Sequence, residues 1–395
     1  MNYESIVCRR VADVPPSGIR KFFDIVSEMK DAISLGVGEP DFTTPWSYND
    51  AAIYSLRQGH THYTSNWGLI ELRRAIAGYM EGRFGVRYDP KDEILVTVGA
   101  SEGIDLALRA LVEPGDEVIA PDPTYVSYAP GIAFAGGKCV TLPTSAENAF
   151  RMTPEALKAC LTPKTKALIL PYPNNPTGGV MGREDLQKIA DVLRDTNVIV
   201  IADEIYAELT YGGNRHVSFA SIPGMWERTI TLSGFSKAFA MTGWRLGYAC
   251  APKELAAIMC KIHQFTMLCA PTAGQYAALE ALKVGAENGY ADVSTMVRAY
   301  DRRRRLVVDG FNALGLDCFE PLGAFYAFPS VKNTGMTSQE FCERLLKEQK
   351  VAAVPGTAFG TGGEGHFRVS YAASTEKLTE ALRRIGKFME AHGAR

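Results

Sequence analysis

Between residues 92 and 252, short apolar runs alternate with stretches whose apolar residues recur at helical spacing, and this alternation limits the fold more than any other feature of the chain. The runs at 94–98, 117–120, 167–170, 198–202, 229–232 and 246–250 are of strand length and rich in Val, Ile, Leu and Ala. The segments 101–112, 154–160 and 183–194 carry helical patterns. Parallel strands need long crossovers, which helices supply, so the order strand–helix–strand predicts an α/β architecture with a mostly parallel sheet between helices.

A different texture follows. A helical pattern over 275–314 leads to an aromatic stretch at 323–329, a helix at 338–348, a hairpin-like run to residue 371 and a last helix from 374. The expected division is a large domain over 45–285 and a smaller α+β domain built from 286–395 and the N-terminal arm 1–44, with a long interdomain helix at about 275–314. The basic run at 302–305 falls inside that helix and is read as a solvated face rather than an anion site.

Composition narrows the function. Lys plus Arg number 42 against 44 Asp plus Glu, a net charge of -2, which provides no field for a polyanion and argues against nucleic acid as a partner. The eight cysteines contain no C-x-x-C pair and the six histidines do not cluster with them, so neither a disulfide framework nor a metal site is expected. The first 13 residues lack a continuous apolar segment and no membrane-spanning run occurs, which reads as a soluble cytoplasmic protein.

Gly360, Gly362 and Gly365 satisfy the G-x-G-x-x-G pattern of dinucleotide-binding loops. That loop must open a helix, whereas these glycines lead into the alternating run His366 to Tyr371, so a hairpin loop is expected.

Ligands of an open parallel sheet collect beyond the carboxyl ends of its strands. After 94–98 comes Gly99-Ala100-Ser101, opening a helix whose free N–H groups suit a phosphate. After 117–120 comes Pro121-Asp122-Pro123-Thr124-Tyr125, and after 167–170 a turn bearing Asn174 and Asn175. Asp203-Glu204-Ile205-Tyr206 follows 198–202, and Ser233-Gly234-Phe235-Ser236-Lys237 follows 229–232, with Arg245 a little further on. Singly, each has a structural explanation: a strand-end Asp usually caps, and a lone Lys usually lies on the surface. Together they provide a lysine in small and apolar company, a carboxylate, an arginine, a phenol, an amide, a stacking ring and a phosphate-sized turn. Apolar surroundings lower an amine's pKa and make it a nucleophile toward a carbonyl. The set fits pyridoxal 5′-phosphate, whose aldehyde needs a Schiff-base lysine, an anion cradle, a ring neighbour and an acid facing its pyridine nitrogen.

Asn175-Pro176-Thr177-Gly178, Asp203-Glu204-Ile205-Tyr206 and the run from Ser236-Lys237 through Thr242-Gly243-Trp244-Arg245 closely resemble the class I/II aminotransferases of the fold-type I pyridoxal phosphate enzymes. Gly38-Glu39-Pro40-Asp41-Phe42, Tyr63, Gly68, Leu72-Arg73 and Arg368 add to the resemblance, which spans nearly the whole chain in order. It implies a seven-stranded large-domain sheet and a homodimer with shared active sites. Lys237 would carry the cofactor and move the substrate proton, Asp203 would keep the ring nitrogen protonated, and Asn175 and Tyr206 would hydrogen-bond the ring oxygen. Tyr125 would stack on the ring. Ala100, Ser101, Ser236, Arg245 and a second subunit's Tyr63 would hold the phosphate. Arg368, with Asn175 and Gly38, would bind the substrate carboxylate.

One departure concerns the phosphate loop. Many similar proteins carry Ser where this chain has Gly234, which leaves Ser236 as the expected ligand. The implied reaction moves an amino group between an L-amino acid and a 2-oxo acid such as 2-oxoglutarate. Carbon–sulfur β-elimination on the same scaffold and an aspartate-specific transferase are the alternatives. A ligand-sensing regulator would need an added DNA-binding domain, and only about 30 residues precede Gly38. Some similar aspartate enzymes place a lysine at the position of Ser101, so the short hydroxyl here predicts broad acceptance including aromatic side chains. The segment Pro16-Ser17-Gly18-Ile19-Arg20 could lie over a bulky substrate, although Arg20 could equally supply the distal cation.

Overall fold

The computed structural model describes residues 1, 3, 6–16, 29 and 31–392. Its centre is a seven-stranded sheet of β2 (Ile94–Thr97), β3 (Glu117–Asp122), β4 (Lys138–Pro143), β5 (Thr165–Leu170), β6 (Ile199–Asp203), β7 (Thr229–Gly234) and β8 (Gly247–Cys250), in the order β2-β8-β7-β6-β5-β3-β4. The strands from β7 to β4 are mutually parallel, and β8 runs antiparallel to both of its neighbours. The six expected strands are all present. The edge strand β4 is the one missed, because its Lys138, Thr141 and partly exposed apolar residues do not form a buried run.

Alternation along each strand sends side chains to two separate cores. Ala167, Ile169 and Ile201 meet the helices Gly99–Leu111, Tyr128–Ala135 and Lys253–Thr266 on one face. Leu168, Leu170, Val200 and Ala202 meet Pro154–Cys160 and Arg183–Leu193 on the other. A third cluster joins β2 and β8 to Ile70–Phe84 and Thr272–Asn288.

A further core gathers the helices Ala291–Ala313, Ser338–Gln349 and Thr375–His392 around an antiparallel sheet of β9 (Tyr326–Ala327), β11 (Val354–Pro355) and β12 (Phe367–Ser370). The N-terminal segment enters it where β1 (Ile33–Ser34) pairs with β10 (Val351–Ala352). The three glycines lie in the β11–β12 connection and are followed by a strand, as their context predicts.

Two expectations are corrected. The pattern over 275–314 is two helices, Thr272–Asn288 and Ala291–Ala313, because Gly289 (φ 66°) and Tyr290 (φ 59°) are both left-handed and a right-handed helix cannot continue through them. The Tyr290 ring packs against Gly285, and apolar spacing continues on either side, so periodicity alone conceals the break. The basic run is a solvated face only at Arg302 and Arg305, which are exposed. Arg304 is 3% exposed and bridges Asp301 and Glu320, while Arg303 Nη1 meets Asp41 Oδ1 at 2.8 Å. Arg304 stands four residues after Tyr300 and three before Val307, on the helix face that enters the core.

β8 passes so close to the start of the helix Gly99–Leu111 that a Cβ on Gly247 would lie 2.5 Å from Ala100 N and from Gly99 C. Backbone offers no rotamer by which to yield. Gly247→Ala is therefore expected to destabilise the protein by about 1–3 kcal/mol, read as a lower urea midpoint; an unchanged midpoint would show that the turn can move aside.

Candidate active site

A cavity of about 1220 Å³ opens at the carboxyl ends of β3, β5, β6 and β7, where the buried strands stop and polar side chains emerge. Its wall includes Gly38, Ala100, Ser101, Tyr125, Asn175, Asp203, Tyr206, Ser236, Lys237, Arg245 and Arg368. Every site residue expected from the sequence except Tyr63 is thus brought to one place. Tyr63 is 80% exposed and does not line the cavity of its own chain.

Lys237 sits in the turn after β7, with its Nζ 5.7 Å from the Tyr206 ring, 5.6 Å from the Phe325 ring and 2.5 Å from the Gly38 carbonyl, to which it donates. Burial, reinforced by the Arg368 charge, pulls its amine down to about 8. Asp203 ends β6 and is 6% exposed. Its Oδ2 accepts from the Tyr128 hydroxyl at 2.7 Å and its Oδ1 from Ile205 N at 3.3 Å. Burial outweighs these bonds and pushes the carboxyl up to about 6. The amine and the acid are thus each drawn toward neutrality by the same lack of water.

The anion cradle is built by the backbone. No side chain caps the helix Gly99–Leu111, so its first N–H groups remain available at the positive end of the dipole. Arg245, held left-handed at φ 55°, lays its guanidinium so close to Gly99 that a Cβ there would meet Nη2 at 2.7 Å. Ser236 is buried in the same wall. Ser233 instead turns its hydroxyl to the Glu204 carbonyl, 3.4 Å away. Gly234 has a structural reason: a Cβ there would come 2.8 Å from Gly247 Cα, so the strand contact excludes a serine.

Arg368, on β12, donates from Nη1 to Asn175 Oδ1 at 2.9 Å and from Nη2 to the Gly36 carbonyl at 2.5 Å. Its guanidinium is stacked between the rings of Tyr326 (4.5 Å) and Phe359 (4.7 Å). Nε is buried and has no partner among the described residues, so the fork retains a donor for an incoming acceptor. Asn175 spends its oxygen on Arg368, which leaves its amide N–H groups for other work.

Sequence reasoning missed Tyr128, Tyr326 and Phe359. Tyr128 follows Tyr125 by one helical turn, a spacing that would have placed both rings on one side. Tyr326 lies in the aromatic stretch 323–329 and shares a 2.9 Å hydroxyl contact with Tyr206. Nothing local marks Phe359. Of the N-terminal segment, Pro16 lines the cavity, whereas Ser17 to Arg20 lie outside the described residues.

Comparison with known proteins agrees with this geometry. Over 96% of its length, the chain is 52% identical to a putative aminotransferase of Bacillus subtilis (strain 168), covering 97% of that protein. It is 49% identical to an aspartate aminotransferase of Pyrococcus abyssi, with 95% and 96% of the two chains covered. The solved structure of an aromatic aminotransferase from Pyrococcus horikoshii OT3 superposes with a TM-score of 0.89 at 46% identity, covering 94% of this chain and 99% of that one. Residues 30–385 match the family model for aminotransferase class I and II. The chain belongs to that family of fold-type I, pyridoxal phosphate-using transferases and is an aminotransferase.

Proposed function

We propose that the cavity holds pyridoxal 5′-phosphate on Lys237 and serves L-amino acids of broad type, aromatic ones included, with a 2-oxo acid such as 2-oxoglutarate as acceptor. The observation that carries this reading is the convergence, in one water-poor cavity, of an amine lowered to about 8, a buried carboxylate, an uncapped helix start beside Arg245, and an Arg368 fork with an unpaired donor. These are the groups that the cofactor's aldehyde, pyridine nitrogen and phosphate and the substrate's carboxylate each require, so the residues present fit the group. When bound, pyridoxal phosphate supplies an aldehyde that condenses with amines and a ring that accepts the electrons left when the substrate's α-proton departs.

The remaining work falls to the chain. A substantial neutral fraction at physiological pH lets Lys237 act as a nucleophile and then carry the proton at the substrate α-carbon. Asp203, oriented by Tyr128, keeps a proton on the ring nitrogen. The Asn175 amide and the Tyr206 hydroxyl serve the ring oxygen, and Tyr125 covers the ring. Ala100, Ser101, Ser236 and Arg245 bind the phosphate. Arg368 grips the α-carboxylate through its planar fork, which a lysine could not imitate, and Gly38 lies beside it.

Tyr63 reaches the phosphate of a second copy in this reading. Its neighbourhood supports a homodimer: Asn66 Nδ2 donates to the Leu268 carbonyl, tying the Tyr63 loop to a segment whose Phe265 and Met267 are also exposed. The relatives being transferases favours amino transfer over β-elimination. Breadth is supported by apolar Val14, Pro15, Pro16 and Phe134 in the cavity wall, by the hydroxyl at Ser101, and by the aspartate and aromatic specificities of the relatives named above.

Lys237→Ala is expected to abolish the borohydride-reducible link to the cofactor and to lower turnover by about four orders of magnitude or more. A variant that still retains a reducible link would place the cofactor on another amine.

In half-reactions followed by cofactor absorbance, aspartate is expected to exceed phenylalanine and tyrosine by less than about a hundredfold in efficiency, because among the described residues the cations lining the cavity, Lys237, Arg245 and Arg368, are all assigned to the cofactor or the α-carboxylate. A larger preference would mark an aspartate enzyme.

Asp203 yields a pH test on the apoprotein. Its folded carboxyl is raised from 3.8 to about 6, so between those values the folded chain keeps a proton that the unfolded chain has lost, and stability falls as pH rises through that window. Asp203→Asn preserves an acceptor for Tyr128 and removes the penalty. The variant is expected to be about 3 kcal/mol more stable than the parent at pH 7.5, with the advantage vanishing toward pH 4. Parallel stability curves in denaturant titrations from pH 4 to 8 would refute the assignment.

A further inference from the structure

The glycine loop that mimics a nucleotide-binding motif has a partner in the protein itself. Asp122, the last residue of β3, is 6% exposed, yet among the described residues no cation meets its carboxylate. Its donors come from the loop: Thr361 Oγ1 at 2.9 Å to Oδ2, and Gly362 N at 3.1 Å to both oxygens. Two residues on, Thr124 N donates to the Phe359 carbonyl at 2.9 Å. Gly360, between these anchors, has φ 126°, and a Cβ there would lie 2.0 Å from Asp122 Oδ1. The glycines thus allow the loop backbone to close on a carboxylate, and a buried carboxylate needs every one of those donors.

Phe359, held at the centre of this contact, is one of the two rings that stack on Arg368, and β11 and β12 at the ends of the loop pair Val354 with Arg368 itself. A guanidinium between two rings has a fixed plane, and bidentate recognition of a carboxylate depends on that plane.

We infer that Asp122 is a positioning residue for substrate binding: from the end of β3 its carboxylate grips the glycine loop and, through Phe359, sets the plane in which Arg368 meets the substrate's α-carboxylate. This rests on the assignment of Arg368 proposed above. It makes the glycine loop a joint between the central sheet and the antiparallel sheet that carries Arg368, with Asp122 as its pin.

Single-turnover half-reactions of the holoenzyme with its best amino acid test this. A parallel absorbance titration uses the 2-methyl analogue of that amino acid, which has no α-proton to lose. Asp122→Ala is expected to raise the half-saturating concentration of both ligands about tenfold, with the limiting rate changed less than about threefold, since the carboxylate is held alike before and during the reaction. Thr361→Val, which removes one of the carboxylate's donors from an exposed position, shifts saturation the same way by a smaller factor. Asp122→Ala combined with Phe359→Leu saturates no more weakly than Phe359→Leu alone, because both act along one path. Arg368→Lys is the reference. If it weakens both ligands while Asp122→Ala and Thr361→Val leave them unchanged, or if the Asp122 and Phe359 effects add in full, the positioning role is overturned. If Arg368→Lys leaves both ligands unaffected, the assignment of Arg368 falls first. Should Asp122→Ala not fold, Thr361→Val and its combination with Phe359→Leu decide the same question.

Discussion

A sheet buried on both faces can present polar side chains only where its strands end. β3, β5, β6 and β7 are parallel and enclosed by helices, so their carboxyl ends share one rim, and the chain places there the groups that the inner strands could not tolerate. The rim also receives the start of the helix Gly99–Leu111, whose unpaired N–H groups are themselves a product of helix termination. Topology therefore creates a single region where positive backbone, exposed strand ends and low dielectric coincide, and the chemistry of the site depends on that coincidence.

The cost of that arrangement is visible in the unpaired groups. The charged forms of Lys237 and Asp203 are each disfavoured by burial, Arg368 Nε has no partner among the described residues, and Arg245 occupies a backbone region that side chains rarely adopt. In a core optimised for stability such features would be removed one by one; here they lie around one cavity, as expected where stability has yielded to function. Their character is complementary. A lowered amine, a raised acid and an unfinished arginine fork are each improved by the arrival of an aldehyde, a cationic ring nitrogen and a carboxylate, so the energy withheld from folding becomes available to binding.

What could be read from the chain follows a physical line. Residues such as Lys237, Asp203 and Asn175 stand at or within five residues of a strand end, and strand ends are legible because apolar runs stop abruptly there. Tyr128, Tyr326 and Phe359 act through side chains that cross from one element to another, and the partner in such a contact leaves no local pattern, even where spacing or composition marks the ring itself, as at Tyr128 and Tyr326. The break at Gly289 and Tyr290 is hidden because apolar residues continue on either side of it, and Arg304 looks solvated in sequence because Glu320, one of its two carboxylate partners, comes from outside the helix. β4 escaped notice for the opposite reason: an edge strand need not be apolar.

The glycine pattern at 360–365 carries a more general lesson. In a nucleotide-binding loop the absence of Cβ lets backbone approach a phosphate, and here the same absence lets backbone approach the carboxylate of Asp122. Glycine spacing reports that something must come close and leaves open what it is. The decision lies in the element that follows: a helix would have offered its N-terminus to an exogenous anion, whereas β12 offers ladder hydrogen bonds and turns the loop inward onto the protein's own acid. The motif is thus satisfied internally, and in the function proposed here the anion-binding task falls to Gly99-Ala100-Ser101, where a small-residue turn does open a helix.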